Sequence, residues 1–363
     1  MKLNEHLLFL TDGVISSNRA SAIHVRNLLP HLKTNTKKLS LLSQSDGVSK
    51  NLEEGHFTVR IPSYKGKLIL LLMKIRGQIK QINPEVIYSR FVLLPLINKK
   101  IPYVVELHDD AWNKGFLYKM AFQNAIESNS CLGFVAITEK IKEDFEIEFP
   151  TSKKTIVVIP DAANVPSVDY IPSYNKKSRL NIAYVGSFHQ GKGIEVILPL
   201  AEAMPEHTFI LIGEPSSIVT TKIQDRNLNN VELKGFVLQR DIWKEMMNID
   251  ICLLPNQVDV RTGKKSNIGK YTSPLKMFEY MSYSKPIIAS DLPVLKEVLD
   301  DKIAIFAAPG NINEWIQAIN ELSSPEKREA LGQRAYLRFI ENYTWEKRSE
   351  RILAFINEQL EKQ

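Results

Sequence analysis

Two cysteines in 363 residues are too few for a disulfide framework or a zinc site. Both, Cys131 and Cys252, stand inside apolar runs, where a thiol behaves as a small buried hydrophobe. Long hydrophobic runs are also missing. The longest, Leu68 to Met73, falls well short of the about 20 residues needed to span a bilayer. The apolar stretch His6 to Leu10 is too short for a signal-peptide core and no small-residue cleavage site follows it, so the expectation is a cytoplasmic protein. Neither first-strand turn carries the Gly-X-Gly-X-X-Gly spacing, which weighs against a nicotinamide-dependent oxidoreductase. Low-complexity tracts and short internal repeats are absent as well, which excludes solenoids and linker-like arrays.

What is present is a globular mixture, 44% hydrophobic and 24% charged. The length is too great for one ordinary core and suits two domains of roughly 150 to 180 residues. The net charge of +6 hides an asymmetry. The first hundred residues hold 16 Lys and Arg against 6 Asp and Glu, a surplus of +10, so the remainder carries −4. Such a field suits nucleic acid, an anionic membrane or an acidic ligand, and composition does not choose among them.

Short apolar or β-branched runs alternate with helix-length segments. Residues 7–10, 39–43, 86–89, 103–107, 133–137 and 155–159 read as buried parallel strands, with helical patterns such as 20–32 between them. Strand and helix in alternation predict an α/β fold, a doubly wound parallel sheet with helices on both faces. A loop-like stretch, 164–178, interrupts the pattern. The alternation then restarts, with strands expected at 181–185, 208–212, 231–234, 251–254, 286–290 and 303–306. Domains of 1–170 and 171–343 follow, each Rossmann-like. Near the end, Ser323-Ser324-Pro325-Glu326 is a helix-start signature and Thr344-Trp345-Glu346 opens a last amphipathic helix.

Three segments are candidates for chemistry. Val185-Gly186-Ser187-Phe188-His189-Gln190-Gly191-Lys192-Gly193 leaves a strand through glycines and enters a helix, so its amides and the Lys192 ammonium suit phosphate. It nearly matches the P-loop spacing but has Gly193 where that motif needs Ser or Thr for magnesium, which leaves phosphate binding without that metal ligand, or a plain glycine turn with a solvated lysine. In the second, Thr272 to Met281, Ser273 is expected to cap a helix whose first turn holds Pro274. Glu279 within it either accepts hydrogen bonds from ribose hydroxyls or is an ordinary helix glutamate. In the third, His108 follows the expected strand 103–107 and so lies at the carboxyl edge of the first sheet, where ligands of open α/β sheets bind. Thr11-Asp12-Gly13 follows the first strand. Gly13 there permits close approach of a ligand or makes a simple turn.

Taken together, these segments resemble the GT-B-fold retaining glycosyltransferases of family 4, also called glycosyl transferases group 1. The resemblance runs over essentially the whole chain and is strongest from Ile182 to Leu299. It rests on Gly191-Lys192-Gly193, on Ser273-Pro274-Leu275-Lys276-Met277-Phe278-Glu279-Tyr280-Met281, and on Lys285 to Ser290. In the first half the similar pieces are Ser21 to His24, His108, Ala136 to Glu139 and Val158 to Asp161. The resemblance implies two facing Rossmann-like domains, the first for acceptor, the second for donor, with a C-terminal helix, 344–363, crossing back to the first. It implies that Lys192 contacts the donor diphosphate and Glu279 the ribose, that amides near Leu275 and Lys276 cradle phosphate, and that His108 touches the transferred sugar. Gly13, Gly186, Ser187, Gly193 and Ser273 complete the implied donor site. The family often has Arg where Ser187 stands and Glu where Tyr271 stands, and the lost cation is expected to be replaced from the basic stretch 261–270. No Asp-X-Asp triplet occurs, in keeping with chemistry that uses no metal or other cofactor.

The expected partners are a nucleotide-sugar donor and a saccharide or lipid-linked acceptor, with no nucleic acid. Leu68, Leu71, Leu72, Ile75, Ile79 and Ile82 form one helical stripe flanked by Lys65, Lys67, Lys74, Arg76 and Lys80, the pattern of a helix on an anionic membrane surface or of a core-facing helix with solvated lysines. Other readings that stay open are a sugar-nucleotide 2-epimerase, whose extra acid and base residues cannot be identified, and a nucleotide-sugar-binding protein without turnover.

Overall fold

A computed structural model describes residues 3–17, 19–45, 55–60, 67–166, 172–214, 216–262, 266–267 and 269–363. The chain divides into two compact units, one of residues 1–161 with 345–363, the other of residues 162–344. The division falls earlier than the loop 164–178 because Ala163 already belongs to the second unit. Its N–H donates to Tyr343 O, and it bridges to Thr344.

In the first unit, β1 (Leu3–Leu10), β2 (Thr36–Gln44), β3 (His56–Val59), β4 (Val86–Ser89), β5 (Tyr103–Leu107), β6 (Cys131–Ala136) and β7 (Ile156–Val158) form one parallel sheet in the order β3-β2-β1-β4-β5-β6-β7. Its helices are α1 (Ala20–Thr34), α2 (Lys67–Ile82), α3 (Phe116–Glu127) and α4 (Glu139–Glu148). In the second, β8 (Asn181–Val185), β9 (Thr208–Ile212), β10 (Val231–Gly235), β11 (Ile251–Leu254), β14 (Ile287–Ser290) and β15 (Ala304–Ala307) run β10-β9-β8-β11-β14-β15, with β12 (Arg261–Thr262) and β13 (Ser266–Asn267) as a separate small ribbon. Its helices are α5 (Ile194–Ala203), α6 (Ser217–Asp225), α7 (Ile242–Met246), α8 (Leu275–Ser282), α9 (Pro293–Lys296), α10 (Ile312–Glu321) and α11 (Pro325–Asn342). Strand order reverses between β1 and β4 in one sheet and between β8 and β11 in the other. Those are the points where open α/β sheets present their carboxyl ends to ligands.

The last helix, α12 (Trp345–Glu361), packs on α1 and β6 and so belongs to the first unit. Its apolar face, Ile352, Leu353, Phe355 and Ile356, is buried. The approach is close enough that β6 has no room for a side chain at Gly133. A Cβ there would stand 2.8 Å from the Phe355 ring, and the residue's φ of +149° is one that glycine adopts freely. In α2 the positions Leu71, Ile75, Ile79 and Ile82 are buried, so that stripe faces the core. Ile69, Met73, Lys74, Arg76 and Lys80 are exposed on its outer side. Lys65 and the side chain of Lys67 lie outside the described residues.

Candidate functional site

The first unit places a carboxylate where a strand would ordinarily carry a hydrophobe. Glu106, the fourth residue of β5, is fully enclosed, and four elements converge on it. Its Oε1 lies 2.5 Å from His108 Nε2, 3.3 Å from Arg90 Nε and 3.3 Å from His24 Nε2. Its Oε2 accepts from Arg348 of α12 at 2.8 Å and from the hydroxyl of Tyr88. Burial works against the charge on Glu106, but His24, Arg348 and His108 around it outweigh burial and hold its carboxyl well below the usual range. Arg348 also donates to the backbone oxygens of Ile159 and Pro160. His24, on α1, shares its Nδ1 with Asp161 at 2.8 Å, and burial pushes its imidazole down to about 4. Two carboxylates, Glu106 and Asp161, here face two guanidiniums, Arg90 and Arg348.

His108 is the member of this cluster that reaches outward. It is about a quarter exposed at the carboxyl edge of the sheet, as expected from its place after β5. Glu106 engages Nε2 from behind, and Arg90 Nη2 stands 3.5 Å from Nδ1, so the ring is held on both nitrogens. His24, Glu106 and His108 also present ligand atoms close enough to share a metal ion. The donor set suits one poorly, because the same carboxylate is already bonded by two guanidiniums that would crowd a divalent cation. Gly13 supplies no special cradle. A Cβ there would meet only Thr11 Oγ1 at 3.4 Å, an ordinary contact, and its amide bonds that same hydroxyl.

In the second unit the expected turn follows β8 and leads into α5, with glycine required at several points. Gly186, Gly191 and Gly193 have φ of +145°, +80° and +113°. A Cβ on Gly193 would stand 2.7 Å from Pro255 O and one on Gly191 2.9 Å from Val260 Cα, so the segment after β11 is packed directly on the turn. The amides behave differently from expectation. Gly191 N–H and Gly193 N–H donate to the two carboxylate oxygens of Glu195 at 2.6 and 3.1 Å. An acidic residue in the first turn satisfies the helix's own donors, so these two amides are not open to an external anion. The turn also carries Lys192, and burial lowers its ammonium from the usual lysine range.

Helix α8 also begins one residue later than the Ser-Pro pair suggests. Pro274 is the N-cap, extended at φ −77° and ψ 119°, and no side chain caps the helix. Ser273 therefore stands before the cap instead of at it, and its buried Oγ has no hydrogen-bond partner. Leu275 and Lys276 are the first two helical residues, whose N–H groups have no carbonyl within the helix to bond. One turn on, Glu279 is half-buried. Burial pushes its carboxyl up, while Gln239, whose Nε2 donates to Oε1 at 3.3 Å, and Lys276 hold it down. Tyr271 is buried in a short 3-10 turn with the Lys270 ammonium over its ring. Part of the basic stretch 261–270 lies outside the described residues.

Residues 179–324 match the family model described as glycosyl transferases group 1. The fold matches solved structures along its whole length. A sucrose-phosphate synthase from Thermosynechococcus elongatus superposes with a TM-score of 0.76 at 15% identity, over 99% of this chain and 100% of that one. A glycosyltransferase from Rickettsia africae gives 0.75 at 16%, with the same coverage. Anabaena HepE in complex with UDP-glucose gives 0.72 at 16%, again over 99% and 100%. No curated protein sequence matches the chain. Two parallel-sheet α/β units with this topology are the GT-B fold.

Proposed function

We propose that the chain is a retaining glycosyltransferase that moves a sugar from a nucleotide diphosphate onto a saccharide or lipid-linked acceptor in the assembly of a bacterial surface polysaccharide. The observation that carries this reading is the grouping at the switch point of the second sheet. Lys192 on its glycine turn and Glu279 on α8 supply a cation for a diphosphate and a carboxylate for ribose, inside the stretch that matches the family model. Lys192, the amides of Leu275 and Lys276, and the turn residues Gly186 and Ser187 hold the leaving diphosphate. Ser273, whose hydroxyl is unpartnered, stands beside them. The charge that develops on the leaving group meets a fixed ammonium and oriented amides, and no metal is required. His108, held on both ring nitrogens, orients the transferred sugar. The proteins of similar fold fit this role: HepE was solved with UDP-glucose, and another, WaaB, is a lipopolysaccharide outer core galactosyltransferase.

A screen of UDP-, GDP-, TDP- and ADP-sugars for a raised melting temperature identifies the donor, since a ligand that binds only the folded state stabilises it by mass action. The stabilising donor is expected to be turned over with its anomeric configuration kept, as read by NMR of the product. Inverted product would sink the retaining mechanism. Stabilisation with no turnover of any donor, acceptors included, would favour a binding protein.

The same reading places the protein in the cytoplasm, peripheral on the inner face of the membrane. No helix among the described residues is long and apolar enough to cross a bilayer. The exposed outer side of α2, Ile69 and Met73 beside Lys74, Arg76 and Lys80, pairs apolar with basic groups as a membrane-surface helix does. Co-sedimentation at low salt is expected to pellet the protein with anionic vesicles and not with neutral ones. Equal pelleting with both would rule the membrane role out.

A further inference from the structure

Lysine is a costly residue to desolvate, and a half-buried ammonium is normally paired with a carboxylate. Lys276 is not. Its Nζ stands 3.8 Å from the centroid of the Tyr184 ring and would lie 3.7 Å from a Cβ built on Gly186. Among the described residues it has no carboxylate within ion-pair distance. The titratable groups that face it are Tyr184 from β8, Lys192 from the turn after β8, and Glu279 from its own helix. Burial and then the like charge of Lys192 hold its ammonium well below the usual lysine range, against the pull of Glu279. Lys192 is itself partly desolvated and likewise has no ion-pair partner among the described residues.

Two ammonium groups that repel each other and have no counter-ions among the described residues are an arrangement that an added dianion relieves. A cation held over an aromatic face is also fixed in direction, so it is aimed before any ligand arrives. Apart from Lys192, the turn next to it offers few groups that compete for an anion, because Ser187 stands at its start and Glu195 has taken the amides of Gly191 and Gly193.

We propose that the Lys276 ammonium, seated on Tyr184 beside Gly186, is the second cation of the diphosphate site and acts jointly with Lys192. The proposal rests on the donor-site reading above and assigns the work to the Lys276 side chain. One consequence is thermodynamic. A doubly negative ligand favours the charged form of both lysines, so diphosphate binding takes up protons from solution at any pH where the ligand-free lysines are partly deprotonated, whereas nucleoside binding does not. A second concerns the ligand-free protein, in which Lys276 is a liability. Lys276→Met keeps the bulk and removes the like charge.

Calorimetric titration of parent, Lys276→Met and Lys276→Arg with UDP, GDP, ADP, the three nucleosides and inorganic pyrophosphate tests this, each in two buffers of different ionisation enthalpy. Lys276→Met is expected to weaken the best nucleoside diphosphate by about tenfold or more, to leave the nucleoside within about twofold, and to melt no lower than the parent without ligand. Lys276→Arg should restore diphosphate affinity, because a guanidinium also stacks on an aromatic face, but without the proton uptake, since it is always charged. Unchanged diphosphate binding by Lys276→Met would overturn the assignment and leave the donor site standing. Equal loss of nucleoside and diphosphate would overturn it as well, showing a structural role. If the parent binds none of the diphosphates or pyrophosphate, the donor-site reading falls and the assignment with it.

Discussion

Arg348→Met should lower the stability of the first unit by about 3–5 kcal/mol, the loss typical when one partner of a buried ion pair is removed and the other is left uncompensated. The stranded group is Glu106, fully enclosed and 2.8 Å from Arg348 Nη2. The substitution also removes the donors to Ile159 and Pro160 O. For a unit of this size such a loss corresponds to a fall in melting temperature of roughly 6–20 °C. The double variant Glu106→Gln with Arg348→Met should lose less than the single one, because no buried charge is then left over. Calorimetric unfolding of the three proteins decides it. A single variant that melts within about 2 °C of the parent would show that solvent reaches Glu106.

Lys192→Ala should cost more than tenfold in nucleoside diphosphate affinity, since a charge-assisted contact to a phosphate is worth about 1.5–3 kcal/mol. Nucleoside binding should hardly change, because the nucleoside lacks the charge that the ammonium meets. Glu279→Ala should act otherwise and weaken nucleoside and nucleotide alike, through the lost ribose contact. It also removes the acceptor to which Gln239 donates across 3.3 Å. Titration of both variants with nucleoside and diphosphate gives four affinities. The two variants should differ in pattern. If both bind the best diphosphate as tightly as the parent, the donor site lies elsewhere.

Much of the architecture was legible in the sequence because buried parallel strands are short apolar runs. Residues 86–89, 103–107, 181–185, 208–212 and 251–254 read as strands and are strands with the same bounds. The edge strand His56–Val59 was not legible, since a half-buried edge with a histidine and a threonine lacks the continuous apolar signal of a central strand. The glycine turn at 186–193 was visible, but its amides were misjudged. The signal available was Glu195, an acidic residue in the first turn of α5, which marks a helix that satisfies its own donors. Ser273 was misplaced by one position because Ser-Pro fits an N-cap followed by N1 equally well as it fits Ser-then-Pro at the cap. His108 was found from its place after a strand. The groups that hold it were not, because Glu106 in an apolar strand signals only that some partner exists, and nothing local says that the partner is Arg348.

That pairing spans 242 residues, and it sets an order on folding as the chain leaves the ribosome. The first unit is begun first and completed last. Residues 162–344 emerge as one continuous stretch, while Glu106 still lacks the Arg348 guanidinium and β6 still lacks the helix that covers Gly133. The first unit therefore cannot be completed before the whole of the second has been synthesised, unlike a domain that lies in one continuous stretch. The nascent first unit waits with an open apolar face on β6, and the arrival of α12 both covers that face and completes the charge balance behind His108.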